Sequence, residues 1–326
     1  MIQARRLTRT FRVGKEVIEA VRGIDLDVAE GELVAFLGPN GAGKSTTLHM
    51  LTSLLPPTSG TAIIDGVDVT RDPAGVRRRI GYIGQKEGAG HNYRVWDELR
   101  MQGLFYGMTA RDAARRGEEL MVSLDLAELR MRKVSSLSGG QKRRLDIAMG
   151  LIHAPRLLFL DEPSTGMDPQ NRANLWEHIM RIRREHGTTI VLTTHYLEEA
   201  DAMAERVIIV DHGRIIADDT ADALKRQQAG DRLTVVVPAT QVDLARTQLE
   251  ANGSGAEVQA TEIQPLADGG AALVLHVAAA AHAMPRVLGR LSAGGVEVVS
   301  ASAHQPTLDD VFLNLTGRSL RDAGNT

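Results

Sequence analysis

The 326-residue chain contains no cysteine. Disulfides, thiol chemistry and cysteine-ligated metals are therefore excluded. Long apolar runs are missing as well. The longest, Ala271 to Met284, is short and is interrupted by His276 and His282, whereas a spanning helix needs about 18–20 apolar residues. If the protein works at a membrane, another chain supplies the span. The N-terminal stretch MIQARRLTRTF has no apolar core and is not expected to be a signal peptide. A net charge of −3 and the lack of a basic stripe argue against a general nucleic-acid-binding surface. Lysine is scarce, with only six among 38 basic residues, so each lysine in a motif carries weight. Hydrophobic residues make up 43 %, enough for a real core in one large domain or two ordinary ones.

The stretch GPNGAGKST organises what is present. It follows the apolar run Leu33–Leu37 and precedes a helical pattern, which is the strand, glycine loop and helix context of a phosphate-binding loop. Gly38, Gly41 and Gly43 let the backbone of the loop Gly38, Pro39, Asn40, Gly41, Ala42, Gly43, Lys44, Ser45 and Thr46 curl so that its N–H groups, which Pro39 alone lacks, can converge on an anion. A helix opening at Lys44 adds its positive dipole end. Lys44 can reach the β- and γ-phosphates of a nucleotide, and the Ser45 hydroxyl can ligate Mg²⁺. A compact ammonium suits a phosphate better than the guanidinium this chain otherwise prefers.

Ahead of the loop, residues 2 to 37 carry strand patterns: IQARRL, EVIEAV, GIDLDV and LVAFL, with turns at Val13-Gly14 and Glu30-Gly31. Phe11, the one aromatic near the start, either packs in the core or stacks on an adenine ring. Pro56-Pro57 stops the loop helix, and TAIIDGVDV predicts a hairpin turning at Asp65-Gly66. The run Arg77–Arg79 fits a solvated helix end. The segment RIGYIG leads to Gln85, and residues 86–154 predict a largely helical insertion. Within it, Ser138 stands where an N-cap belongs, and Gly139 and Gly140 free the backbone beyond it. RLLFLDEP is a continuous apolar strand ending in two carboxylates, as expected in a buried parallel sheet. Ligands bind at the carboxyl ends of such strands, so Asp161 is placed to hold Mg²⁺ and Glu162 to orient and polarise an attacking water. TTIVLTTH predicts a second buried strand, with His195 at its end as a sensor of the γ-phosphate.

Together these motifs resemble the ABC ATPase family over roughly residues 1–224. GPNGAGKST resembles the Walker A loop, and Gln85 the Q-loop glutamine. LSGGQ, ending at Ser138, Gly139, Gly140 and Gln141, matches the ABC signature letter for letter. LLFLDE resembles Walker B with its catalytic glutamate, Glu162. STGMD resembles the D-loop, with Met167 in place of the usual leucine and Asp168 retained, and His195 matches the switch histidine. Phe11 stands where the family usually has a tyrosine. Stacking on adenine would survive that change, but a hydroxyl contact would not.

The resemblance implies an α/β P-loop NTPase core with an antiparallel β-subdomain and a helical subdomain. It also implies ATP and Mg²⁺ as ligands, with Ser45, Gln85 and Asp161 at the metal. Two such chains, most simply a homodimer, would sandwich ATP head to tail between Walker A of one and LSGGQ of the other. An integral membrane permease would dock a cytoplasmic helix against the helical subdomain, with Leu99, Leu104, Phe105 and Tyr106 as candidate contacts. The subunit would then sit peripherally on the cytoplasmic side of the cell membrane, with no nucleic-acid partner. A soluble ABC ATPase acting on ribosomes or nucleic acid is the alternative, although this chain has neither a second ATPase domain nor a long coiled-coil insertion. A P-loop GTPase or kinase fits less well, because no Asn-Lys-x-Asp motif is present.

From about residue 225 the composition shifts to Ala, Gly and Val. KRQQAGD is expected to be a linker, and residues 225–326 a small α+β domain in the order βαββαβ, of ferredoxin-like type. This region has no cluster of catalytic residue types, and His276, His282 and His304 are scattered. Thr307 and Asp310 are spaced like a capping box, and Leu308, Val311, Phe312 and Leu315 share one helical face. This tail also resembles that of the daunorubicin-resistance-type ABC subunits, which serve exporters of drugs, antibiotics or lipids.

Overall fold

The sequence begins with two long strands whose alternate residues are apolar. In the computed structural model, which describes residues 1–228, 231–250, 258–266, 270–277 and 280–319, they form the antiparallel pair β1 (Ile2–Val13) and β2 (Glu16–Val28). The two separate strands expected from EVIEAV and GIDLDV are one. Gly23, at φ +90, takes up the register shift between the Leu7–Ile24 and Thr8–Arg22 pairs, so the strand continues through it. Ile2, Ala4, Leu7, Val21, Ile24, Leu26 and Val28 are buried.

β3 (Leu33–Leu37) is buried at every residue. It leads through the glycine loop into α1 (Lys44–Leu51). β4 (Ser59–Ile64) and β5 (Val67–Asp68) form the expected hairpin. Its turn residues Asp65 and Gly66 lie at φ +46 and +77, the left-handed pair a two-residue turn demands. α2 (Pro73–Arg79) is capped by Asp72 and ends on the three arginines. β6 (Ile80–Ile83) runs to the Gln85 segment.

The helical insertion follows, with α3 (Val95–Phe105), α4 (Ala110–Ser123), two short 3-10 turns and α5 (Gly139–Leu151). β7 (Leu157–Asp161), α6 (Pro169–His186), β8 (Thr189–Thr194), α7 (Leu197–Met203), β9 (Arg206–Asp211) and β10 (Arg214–Asp219) complete this unit.

Two sheets organise it. One has the order β2-β1-β4-β5 and is antiparallel. The other has the order β10-β9-β3-β8-β7-β6, with parallel pairing from β9 through β6 and β10 antiparallel at the edge. β7 and β8 are buried at every residue. Such strands require cover on both faces, which explains the apolar runs within them, Leu157–Leu160 and Ile190–Leu192. The carboxyl ends of β3, β7 and β8 carry the glycine loop, Asp161-Glu162 and His195.

The chain divides into two compact units, Met1–Thr220 and a second that begins at Ala221. The second contains α8 (Ala221–Gln228), β11 (Asp231–Pro238), α9 (Val242–Glu250), β12 (Val258–Pro265), β13 (Gly270–Val277), α10 (Ala280–Ala293), β14 (Ser300–His304) and α11 (Leu308–Thr316). Its antiparallel sheet has the order β12-β13-β11-β14. Leu233, Val235, Leu273 and Leu275 pack with Val287 and Leu291 in its core.

Two expectations need correction here. Lys225–Gln228 belong to α8 rather than to a linker. Ala221 and Leu224 are buried on that helix, and α8 packs against α11; of the rest, Asp231 opens β11 and Ala229 and Gly230 lie outside the described residues. The last strand begins at Ser300, not Val296, because Val296 is drawn into the core beside α10. Thr307 and Asp310 do form a reciprocal capping box on α11.

Candidate active site

Three glycines shape the loop, and two do so by close approach. A side chain at Gly38 would meet the Val210 carbonyl at 2.2 Å, and one at Gly43 the Ala20 carbonyl at 2.5 Å. Gly43, at φ +103, is the N-cap of α1 and offers no capping side chain. The first N–H groups of that helix are therefore left for a ligand.

Lys44 is 4 % exposed, and its Nζ donates to the Gly38 and Pro39 carbonyls at 2.7 and 3.0 Å. Nζ also lies 3.7 Å from Glu162 Oε1. Burial lowers the Lys44 pKa, opposed by the charges of Glu162 and Asp161.

Ser45 Oγ donates to Asp161 Oδ1 at 2.7 Å, and Gln85 Nε2 donates to Ser45 Oγ at 3.3 Å. The three residues assigned to Mg²⁺ thus meet around one oxygen-rich point. Hard oxygen donors of this kind fit Mg²⁺, which keeps several waters and needs only one or two protein ligands. Asp161, itself buried, also accepts from Thr193 Oγ1 at 2.7 Å. His49 Nε2 is 3.7 Å from Asp161 Oδ2 and bonds the Tyr82 hydroxyl at 3.0 Å. Burial, reinforced by the charge of Asp161, pushes the Tyr82 phenol up to about 12.

Glu162 sits at φ +46, a left-handed conformation that costs a non-glycine residue about 1–3 kcal/mol. Its N–H donates to Thr193 Oγ1 at 2.9 Å and to the Thr193 carbonyl at 3.2 Å. Its carboxylate lies 3.3 Å from His195 Nδ1, close without hydrogen-bond alignment, and accepts from Thr165 Oγ1 at 3.1 Å. The contact with His195 holds the Glu162 pKa below the usual carboxylate range; burial opposes it, and Lys44 and Thr165 lower it further. The Glu162 carboxylate is therefore ionised at neutral pH.

The signature residues open α5. Ser138 and Gln141 form a reciprocal capping box, with Ser138 N to Gln141 Oε1 at 3.0 Å and Gln141 N to Ser138 Oγ at 3.3 Å. The Gln141 side chain is thus engaged in folding its own helix. Gly140 lies close to the Asn171 side chain, whose Oδ1 would be 2.8 Å from a Cβ there. Asp168 caps α6, accepting from Asn171 N at 3.0 Å, and its bonds to Asn171 lower its pKa. Phe11 is partly exposed, and Arg9 lies over its ring at 4.6 Å.

Two candidate permease contacts are corrected. Leu99 is fully buried, and Tyr106 stacks on His153 with ring centroids 3.6 Å apart. Leu104 and Phe105 are exposed and line a cleft of about 490 Å³ with Tyr93 and Met101. Sequence reasoning missed Thr193, Thr165, His49 and Tyr82. None carried a distinct signal: Thr193 is one of four threonines in TTIVLTTH.

A strand, phosphate loop and helix beside a strand ending in two carboxylates define a P-loop NTPase. The ATP-binding cassette MJ0796, solved as a dimer in a post-hydrolysis state bound to ADP and Pi, superposes with a TM-score of 0.63 at 27 % identity, covering 68 % of this chain and 98 % of that one. The cassette cbiO1 of Clostridium perfringens shares the fold, with a TM-score of 0.63 at 23 % identity over 76 % of this chain and 94 % of that one. A family model described as "ABC transporter" matches residues 21–165.

Daunorubicin resistance ATP-binding protein DrrA3 of Streptomyces coeruleorubidus is 40 % identical over 305 residues, 93 % of each chain. Linearmycin resistance ATP-binding protein LnrL of Bacillus subtilis is 33 % identical over 324 residues, 99 % of this chain and all of the relative. The chain belongs to the ABC transporter family, among the ATP-binding proteins of the daunorubicin-resistance type. It is an ATP-binding, ATP-hydrolysing transporter subunit. Subunits of this kind dimerise and pair with membrane components. No helix among the described residues is long and apolar enough to cross a membrane.

Proposed function

We propose that this chain energises export of a drug, antibiotic or lipid-like molecule through a separate integral membrane permease, as a homodimer on the cytoplasmic face of the membrane. The observation that carries the chemical part is the meeting of two sets: Lys44, Glu162 and His195 within 3.7 Å contacts, and Ser45, Gln85 and Asp161 within 3.3 Å contacts.

The backbone N–H groups of the loop 38–46, Pro39 excepted, and the Lys44 ammonium bind the β- and γ-phosphates of ATP. Ser45, Asp161 and Gln85 hold Mg²⁺, which when bound neutralises charge on those phosphates. Glu162, ionised, orients and polarises the attacking water, while His195 senses the γ-phosphate. Phe11 stacks on the adenine with the face that Arg9 leaves open. Ser138, Gly139 and Gly140 of the second copy close over the γ-phosphate, with Gln141 fixing the geometry of that helix end and Asp168 at the shared boundary. ATP then holds the two copies together, and its hydrolysis releases them.

Residues 1–224 act as the nucleotide-binding domain, with residues 86–154 as its helical subdomain. Residues 225–326 serve as an accessory domain. The cleft of Tyr93, Met101, Leu104 and Phe105 receives a cytoplasmic segment of the permease. The drug and antibiotic resistance named for the relatives supports export as the direction of transport.

The test is capture of the Glu162→Gln variant with ATP from detergent-solubilised membranes, with mass-spectrometric identification of what accompanies it. A multi-span protein lacking its own phosphate loop is expected. Ribosomal or nucleic-acid proteins in its place would overturn the transport reading and favour a soluble ABC ATPase.

A further inference from the structure

Arg143 lies one turn into α5, two residues beyond the signature, and is 8 % exposed. It spends its guanidinium on backbone carbonyls. Nε donates to Pro163 O at 2.8 Å, Nη1 to Gly84 O at 2.5 Å, and Nη2 reaches Asp161 O at 3.4 Å. Two of these carbonyls flank Glu162, and the third belongs to the residue before Gln85. Glu162 is in the left-handed region, and its own N–H is tied to Thr193. The strained residue is therefore held at three successive points: the carbonyl before it, its N–H, and the carbonyl after it.

The same helix grips the Gln85 segment twice more. Asp146 Oδ1 accepts from Gly88 N at 3.0 Å, and Lys142 Nζ contacts the Glu87 carboxylate at 3.0 and 3.1 Å.

We infer that Arg143 is a positioning residue for hydrolysis, a rigid fork that fixes Glu162 and Gln85 relative to the helix that begins at the signature. The inference rests on the roles proposed above for Glu162 and Gln85. A planar guanidinium presents donors in fixed directions and can serve three carbonyls at once. A lysine at this place keeps the charge but acts as a single rotating point. The strain at Glu162 persists only where its surroundings over-determine it. Loosening them shifts the carboxylate, and misplacement by about 1 Å can cost a hundredfold in rate. ATP affinity depends on the glycine loop and Lys44, which Arg143 does not touch.

The test measures ATP turnover and ATP affinity of the full chain carrying Arg143→Lys, alone and combined with Glu162→Gln. Arg143→Lys should bind ATP within about threefold of the parent while kcat falls tenfold or more. In the Glu162→Gln background the same change should alter the single-turnover rate by less than about twofold, because residues acting as a unit are not additive. If Arg143→Lys does not fold, Arg143→Gln, a planar neutral replacement, is measured in the same way.

Parental kcat in a folded Arg143 variant would overturn the inference, as would the same fold loss in both backgrounds or a loss confined to ATP affinity. An inactive Glu162→Gln beside an unimpaired Arg143→Lys would defeat the positioning role alone. Full turnover by Glu162→Gln would instead refute the role of Glu162, and with it this inference.

Discussion

Two helix N-termini in this chain are built for the same ligand chemistry and finished differently. α1 begins at a left-handed glycine with no side-chain cap and no acid in its first turn. α5 begins at a complete capping box in which Ser138 and Gln141 satisfy each other's backbone. The first is left open and depends on a ligand for its unpaired N–H groups. The second is stable without a ligand and retains only part of its donor capacity for one. The phosphate-loop helix is thus the one the chain leaves unfinished, and the signature helix, proposed to meet ATP across the dimer, is held ready in advance.

Lys44→Ala should break that contrast most severely, because it removes the cation over which the open loop closes. ATP binding should fall by at least about a hundredfold and hydrolysis should vanish, as checked by equilibrium binding and phosphate release; parental turnover would end the assignment. Glu162→Gln should slow turnover by about 10²–10⁴ while leaving ATP affinity intact. Light scattering should then find an ATP-dependent dimer, and a monomer saturated with ATP would count against the sandwich. Ser138→Ala sharpens the comparison from the other side. It should cost about 1 kcal/mol of stability through the lost cap and weaken ATP-driven dimerisation, with ATP binding by the monomer unchanged.

The far end of α5 offers a smaller, pH-dependent test. Just beyond it, burial lowers the His153 pKa from 6.5 to about 4. Below about pH 6.5 the unfolded chain takes up a proton that the folded chain refuses until about pH 4. The contribution is complete above that window and falls as the pH drops through it, by on the order of 2 kcal/mol. Thermal unfolding between pH 7 and 4.5 should show this loss, and His153→Gln should flatten it. The smallest effect is expected from removing residues 225–326. A folded truncation should bind ATP as the full chain does, and complete loss of binding would contradict the proposed domain roles.

The parts of the site that were legible share one property. Gly38 to Ser45, Asp161-Glu162 and Ser138 to Gln141 carry their chemistry in consecutive residues at the end of a strand or the start of a helix, so local pattern reveals them. Arg143 and Thr193 act through backbone carbonyls and N–H groups more than ten residues away, and no spacing encodes such contacts. Leu99 lies midway along the helix that ends at Leu104, Phe105 and the C-cap Tyr106. Periodicity marked all four as apolar, but only packing decides that Leu99 is buried and Tyr106 half-buried against His153 while Leu104 and Phe105 stay exposed. Lys225–Gln228 looked like a linker because their polar composition hides a helix stabilised by α11, more than eighty residues later.

The pairing of β3 has a consequence for how the protein is made. Leu33 pairs with Ile190, and Val34 with Arg206; the turn at Gly38 is pressed against Val210. During synthesis, the loop that defines the enzyme therefore emerges long before either neighbouring strand exists. Non-local parallel pairing of this kind is slow to form. Until β8 has been translated, the apolar strand that carries the phosphate loop has neither sheet neighbour, and until β9 follows it has only one. Nucleotide cannot guide the early stages of folding, and the chain's first half must stay soluble by other means.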